Sequence, residues 1–238
     1  MPDQPEADMT YSTVLFDFDL TLFDTDGAEA PAFDTTIAQL GLAPNSDHFD
    51  AYREINLALW DSVHAGTLAP SDVHLLRFEQ WVDRLGLDAE PQRLADVFLL
   101  AMGAHGELYP GALDLLHRLK STATLAMVTN ALADVQRPRL ERLGIEPLFE
   151  TIVISTEAGS AKPNPAIFDV TFEALGWPDK GGAIIVGDNL GSDIAGGRGY
   201  GIDTCWYNPT GRANPTDQAP THEIRDLNEL IELVGATS

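Results

Sequence analysis

The feature that most constrains the fold is a rhythm that begins after Tyr109-Pro110-Gly111, where short apolar, β-prone runs alternate with helix-prone segments to the end of the chain. The pattern predicts helix over 112–119, strand over 124–129, helix over 132–143, strand over 151–154, helix over 165–175, strand over 183–187, helix over 192–198, strand over 202–206 and a last helix over 227–234. Strands that are apolar along their whole length are covered on both faces, and helices placed between them make the pairing parallel. The expected fold class is therefore α/β, a Rossmann-like three-layer sandwich around a parallel sheet. Pro138 falls inside the predicted helix over 132–143 and is expected to kink it, because it lacks the N–H that an interior helical residue donates.

An earlier apolar run over 13–18 ends in acidic residues and reads as a further buried strand opening onto a loop. Between it and the alternating region the character changes. Periodic segments over 28–40, 49–64, 72–85 and 91–102 are separated by Gly, Pro and Asn breaks, with no strand among them. The simplest organisation is a catalytic core formed by 1–23 and 104–238, with a helical cap, 24–103, inserted after the first strand. Connections near 24–27 and 103–106 carry glycines able to absorb backbone rotation, and are expected to act as hinges.

Lys and Arg number 14 against 37 Asp and Glu, a formal charge of −23. A surface so acidic repels a phosphate backbone, so a polynucleotide partner is disfavoured and an anionic partner should be a small phosphorylated metabolite met by local positive charge. No run is long and apolar enough to span a membrane, and the first ten residues lack the basic and apolar regions of a secretory signal, so a cytoplasmic location is expected. The single cysteine, Cys205, lies in an apolar run and reads as a buried strand residue.

Four short motifs follow predicted strands, and ligands of open α/β sheets bind beyond the carboxyl ends of the strands. Asp17-Phe18-Asp19-Leu20-Thr21 sets two carboxylates two residues apart; Val128-Thr129-Asn130 offers a hydroxyl and an amide; Lys162-Pro163-Asn164-Pro165 places one of the few cations ahead of a helix; Gly187-Asp188-Asn189-Leu190-Gly191-Ser192-Asp193 is acidic again. Taken singly, each has an ordinary explanation: a helix cap, a strand end, a solvated lysine, a Gly-Asx turn.

In this order, each at a strand end, the four motifs resemble the haloacid dehalogenase superfamily of aspartate-nucleophile phosphatases, over nearly the whole chain. The resemblance implies that Asp17 is the nucleophile and forms an aspartyl-phosphate, while Asp19 protonates the leaving oxygen and then activates water. It implies Mg²⁺ as cofactor, held by Asp17, Asp188 and the backbone carbonyl of Asp19. Thr129, the backbone at Asn130 and Lys162 would bind phosphate, and Asp193 would hold a ligating water or orient Lys162. The chemistry is coherent, because phosphoryl transfer needs an in-line nucleophile, cations on the non-bridging oxygens and a proton source for the leaving oxygen.

Leu59-Trp60, Gly66-Thr67-Leu68, Arg77-Phe78 and Trp81, together with Val135-Gln136-Arg137, Arg139-Leu140-Glu141-Arg142 and Thr204-Cys205-Trp206, are similar to the house-cleaning pyrimidine 5′-nucleotidase branch of that superfamily. This implies a 5′-nucleotidase for small pyrimidine nucleoside monophosphates. A phosphatase for phosphoglycolate or a sugar phosphate, and a non-catalytic binding protein on the same scaffold, are the alternatives. Phe78, Trp81 and Leu85 fall at helical spacing and are expected to pack the cap's own helices. Trp60 is the candidate aromatic wall for a base, and Arg77, off that apolar face, is a candidate contact to substrate or to an acidic neighbour.

Overall fold

The computed structural model describes residues 11–235, so the segment on which the absence of a leader was read lies outside the described residues. Six strands, β1 (Thr13–Phe16), β2 (Thr124–Thr129), β3 (Thr151–Ile154), β4 (Ala183–Gly187), β5 (Asp203–Tyr207) and β6 (His222–Ile224), make one sheet in the order β3-β2-β1-β4-β5-β6. Every pairing is parallel, and Phe16 stands opposite Met127 on one side and Val186 on the other. Successive residues feed opposite cores, as the pleat requires. Val14, Phe16, Met127 and Val186 join one core, with Leu115 and Leu119 of α5 (Ala112–Lys120) and Leu230 of α10 (Leu230–Val234). Leu15, Ala126, Val128 and Ile185 join the other, with Ile167, Phe168 and Phe172 of α8 (Pro165–Ala174). The α/β three-layer architecture read from the sequence is the one observed.

Four helices stand between β1 and α5 with no strand among them: α1 (Thr25–Ile37), α2 (Ser46–His64), α3 (Pro70–Leu85) and α4 (Pro91–Ala104). Asp24 caps α1 by accepting from the Gly27 N–H, and Asn45 caps α2 by accepting from the Asp47 N–H, each satisfying an otherwise orphaned donor. Their shared core is aromatic: the Phe33 ring lies 5.0 Å from Tyr52 and 5.5 Å from Trp81, and the Phe98 ring lies 5.2 Å from Tyr52 and 5.4 Å from Phe78. Phe78 and Trp81 are fully buried here, so they pack the block's own helices as the spacing predicted.

The structure departs from the sequence expectations at several places. β1 ends at Phe16 because the Phe18 carbonyl then takes the N–H groups of Thr21, Leu22 and Phe23 in a tight turn, with Leu20 at φ 62°. The run over 202–206 pairs as 203–207, while β6 and the four-residue helix α7 (Ser155–Ala158) are too short to leave a periodic trace. The helix α6 (Ala133–Leu143) continues through Pro138, whose ring lies against Gly103 at the end of α4; a Cβ added at Gly103 would come within 3.3 Å of the Pro138 Cβ. The expected helix over 192–198 begins earlier, as a π-helical turn over Leu190–Ile194 that runs into α9 (Ala195–Tyr200).

Candidate active site

All four motifs reach the same end of the sheet. Asp17 follows β1 and remains tied to β4 through its N–H, which donates to the Val186 carbonyl at 2.9 Å. One carboxylate oxygen accepts from the Lys162 ammonium at 2.7 Å and the other from the Thr21 hydroxyl at 3.2 Å. Lys162 is 1% exposed, and its Nζ also donates to the Val128 carbonyl at 2.6 Å and lies 2.7 Å from Asp193 Oδ1. Burial works to lower the Lys162 pKa, but the Asp17 and Asp193 carboxylates overcome it and the net shift is upward, so the ammonium is held charged. Asn130 does not turn its side chain toward this cluster. Its amide nitrogen donates to the Lys162 carbonyl and its amide oxygen accepts from the Lys162 N–H, both at 2.8 Å, which clamps the lysine loop onto the end of β2.

Asp19 points elsewhere. Its carboxylate accepts from the Thr25 hydroxyl at 2.6 Å, from Gln136 Nε2 at 2.8 Å and from Arg139 Nη1 at 2.8 Å. The same Gln136 nitrogen lies 3.0 Å from the Thr129 hydroxyl, so α6 joins the acid of the first motif to the hydroxyl of the second. Gln136 and Arg139 are fully buried, an arrangement sequence reasoning missed. The available signal was their spacing of three on one helical face, but α6 also carries Arg137 and Arg142, which make exposed ion pairs with Glu157 and Glu107.

Asp188 follows β4. Its N–H donates to the Thr21 hydroxyl at 3.1 Å, so Thr21 bridges the first and fourth motifs, and its carbonyl accepts from the Trp206 indole at 2.9 Å. Burial, then the neighbouring Asp193 charge, pushes the Asp188 carboxyl up to about 7, against the opposing pull of Arg212, 3.6 Å away. Burial likewise raises the Asp17 carboxyl, although Lys162 works against it. Oxygens of Asp17, Asp188 and Asp193 all lie within 4.8 Å of one another. Three carboxyls face one buried ammonium, so when ionised they outnumber it, and a divalent cation with a preference for oxygen ligands fits both that charge and the donor type. The Asp19 carboxylate is not part of this trio.

The two residues singled out in the helical block separate. Trp60 is half-buried on α2, packed against the large core. Arg77 is 6% exposed inside the block, donating to the Val73 carbonyl and the Tyr52 hydroxyl and lying 5.2 Å over the Phe98 ring. It therefore meets an aromatic neighbour and a polar network around Glu29 rather than Asp17. Glu29, also buried, accepts from Tyr52 at 3.1 Å and Asn56 at 2.6 Å, and burial raises its carboxyl. A cavity of about 690 Å³ opens between the end of α2 with the turn that follows it (Val63, Gly66, Leu68) and the segment bearing Ser155, Ser160 and Lys162. Cys205 is buried in β5, and burial pushes its thiol up to about 12. Among the described residues no helix is long and apolar enough to cross a membrane.

A family model of the haloacid dehalogenase-like hydrolases matches residues 14–207. The chain is 35% identical to the pyrimidine 5′-nucleotidase YjjG of Escherichia coli (strain K12), over 95% of this chain and 99% of that protein. It is 30% identical to the pyrimidine 5′-nucleotidase PynA of Streptococcus pneumoniae, over 94% and 96% of the two. Among solved structures it is similar to the HAD-hydrolase YfnB of Bacillus subtilis, bound to magnesium and described as revealing interdomain movement, with a TM-score of 0.88 and 32% identity over 94% of this chain and 99% of that one.

Proposed function

The chain belongs to the haloacid dehalogenase-like hydrolases, and we propose that it is a phosphomonoester hydrolase of the 5′-nucleotidase type, acting on small pyrimidine nucleoside monophosphates. The observation that carries the reading is Asp17 at the carboxyl end of β1, with Oδ1 on the buried Lys162 ammonium and a second carboxylic acid, Asp19, two residues away on a different set of donors. A nucleophile and a proton donor held apart in this way suit a two-step displacement.

In the first step an Asp17 carboxylate oxygen attacks phosphorus and forms the aspartyl-phosphate, while the bond from phosphorus to the nucleoside 5′-oxygen breaks. The departing oxygen takes its proton from Asp19. In the second step Asp19 removes a proton from water, the water oxygen attacks phosphorus, and the bond to Asp17 breaks to release inorganic phosphate. Thr129, the backbone at Asn130 and Lys162 hold the non-bridging oxygens, and the Asn130 clamp on the lysine loop fixes where that ammonium stands. Asp17, Asp188 and the Asp19 carbonyl would hold Mg²⁺, with Asp193 orienting Lys162. Bound there, the ion would neutralise charge on the phosphate oxygens, which makes phosphate tolerable beside three carboxylates.

Residues 24–103 serve as a cap over the core formed by 1–23 and 104–238, and supply the walls that meet the leaving group. The cavity between the α2–α3 turn and the Lys162 segment supports this reading, because it opens between the cap and the phosphate-binding loop and lies in the ordinary size range for a small-molecule site. The two pyrimidine 5′-nucleotidase relatives favour a nucleotide over a sugar phosphate or phosphoglycolate. A phosphate-release screen with Mg²⁺ across nucleoside monophosphates, sugar phosphates and phosphoglycolate tests it. The expected result is a kcat/KM for a pyrimidine monophosphate well above the others, and a higher value for phosphoglycolate or a sugar phosphate would displace the nucleotidase assignment.

A further inference from the structure

Arg212 and Asp188 meet at the rim of the catalytic cluster. Lys162 serves Asp17 and Asp193 from the buried side, 2.7 Å from each. Among the described residues Arg212 is the one cation within ion-pairing distance of Asp188, at 3.6 Å, and its side chain is 54% exposed. The same Nη2 donates to the Asp188 carbonyl at 2.5 Å, beside the Trp206 indole N–H, which reaches that oxygen at 2.9 Å. The guanidinium carbon lies over the Trp206 ring, 5.6 Å from its centroid, and the face of an indole favours a cation.

Arg212 stands in the connection between β5 and β6, outside any strand or helix. Asn208, fully buried, fixes it there: its amide oxygen accepts from the Arg212 N–H at 3.0 Å, and its amide nitrogen donates to the Arg212 carbonyl at 2.9 Å. That nitrogen also donates to Glu223 of β6 at 2.8 Å, which ties the clamp to the sheet. An exposed ion pair contributes little to stability, so these supports are not explained by the pair alone. The carbonyl bond and the indole face hold the guanidinium while its contact with the carboxylate is made or given up, and its exposure leaves it room to move.

We propose that Arg212 is a positioning residue for the metal site: a tethered cation that holds the Asp188 carboxylate, yields it to Mg²⁺, and so sets the free Mg²⁺ concentration at which the site fills; this rests on the metal reading above. A guanidinium and a divalent ion both seek carboxylate oxygens, and like charges that share one carboxylate repel. Arg212 therefore lowers the affinity of the cluster for Mg²⁺. Lys162 cannot play this part, since it is 1% exposed and held by Asp17, Asp193 and the Val128 carbonyl.

The test reads metal binding rather than turnover. Mg²⁺ affinity is measured by isothermal titration calorimetry on the full chain, for the wild type, Arg212→Gln and Arg118→Gln, with thermal unfolding to confirm that each variant is folded. Arg212→Gln should bind Mg²⁺ more tightly by on the order of tenfold, the scale of one unit charge beside a divalent ion in a solvated setting. Arg118 is exposed in the last turn of α5, before β2 begins and so at the opposite end of the sheet. It controls for net charge, and its variant should bind as the wild type does. Unchanged or weaker binding by a folded Arg212→Gln would overturn the proposal, as would equal tightening in Arg118→Gln. A second measurement needs no variant: the side-chain Nε–H resonance of Arg212 in the wild-type protein should shift on titration with Mg²⁺, at the calorimetric midpoint. A resonance that does not move would overturn the proposal too. Mg²⁺ binding by none of the three proteins would remove the metal reading and this inference with it.

Discussion

Arg139 Nη1 lies 2.8 Å from Asp19 Oδ1, and Nε of the same side chain donates to the Met102 carbonyl at 2.8 Å. The guanidinium also sits 4.5 Å over the Phe23 ring. Phe23 precedes α1 and Met102 lies in the last turn of α4, so one buried cation touches both connections to the helical block and the acid of the first motif. Movement of that block relative to the core would therefore be felt at the Asp19 carboxylate.

Arg139→Lys keeps a charge but loses the planar fork that serves Asp19 and Met102 together. With Asp19 as the proton donor, turnover of a nucleoside monophosphate should fall by roughly 10- to 100-fold, within the range for general acid catalysis. An activated aryl phosphate, whose leaving oxygen needs no proton, should lose much less, and Asp19→Asn should show the same asymmetry more strongly. Equal losses on both substrates, from protein with unchanged unfolding temperature, would detach Arg139 and Asp19 from leaving-group protonation.

Asp17→Asn removes the nucleophile within the same volume. Phosphate release should drop by on the order of 10³-fold or more, the scale seen when a catalytic nucleophile is lost. Chelation should likewise abolish wild-type activity and Mg²⁺ restore it, because Asp17, Asp188 and Asp193 otherwise present uncompensated negative charge to the phosphate. Activity that survives excess chelator would rule out the metal.

Gly187 closes β4 where the π-helical turn comes back over it. A Cβ added there would fall on the Asp193 carboxylate and within 2.7 Å of the Asp193 Cβ. Asp193 holds Lys162, which holds Asp17, so Gly187→Ala should destabilise by about 1–3 kcal/mol through overpacking. It should also lower kcat further than the lost stability explains. Thermal unfolding together with phosphate release at a temperature where the variant is folded separates the two effects.

The strands over 124–129, 151–154 and 183–187 were legible to the residue, because continuous apolar runs bounded by polar turns mark the extent of strands buried on both faces. The order of motifs placed Asp17, Thr129 and Asp188 at strand ends, where they stand, whereas Lys162, also read at a strand end, lies beyond α7 in the segment that leads into α8. Their mutual distances were not legible, since Asp17 and Lys162 meet across 145 residues only after β1, β2 and β3 pair. Arg139 was hidden for a physical reason: in a helix as polar as α6, an arginine that neutralises a buried acid and one that pairs on the surface look the same in sequence. Arg77 shows the converse, a cation set off the apolar stripe that folds inward because Tyr52 and Glu29 supply polar partners inside an aromatic core.

Glu29 gives a prediction with a definite sign. Burial raises its carboxyl above the ordinary range, while the hydrogen bond from Tyr52 and the charges of Arg77 and Arg53 pull the other way without prevailing. A carboxyl whose folded pKa is raised contributes its stability below the unfolded pKa, where it is protonated in both states. That contribution is lost as pH rises through the folded value, because the unfolded chain ionises first and is favoured. Glu29→Gln fixes the neutral form and can still accept from Tyr52 and Asn56, so it removes the pH dependence while leaving most of the geometry. The wild-type unfolding temperature should therefore fall relative to that of Glu29→Gln as pH is raised from below the ordinary carboxylate range to neutrality. Any constant offset between them, set by how the neutral carboxyl and the amide differ in hydrogen bonding, does not affect the slope. A wild-type protein that gains stability relative to the variant over the same window would mean that the two arginines outweigh burial, and that Glu29 is held as a charged partner.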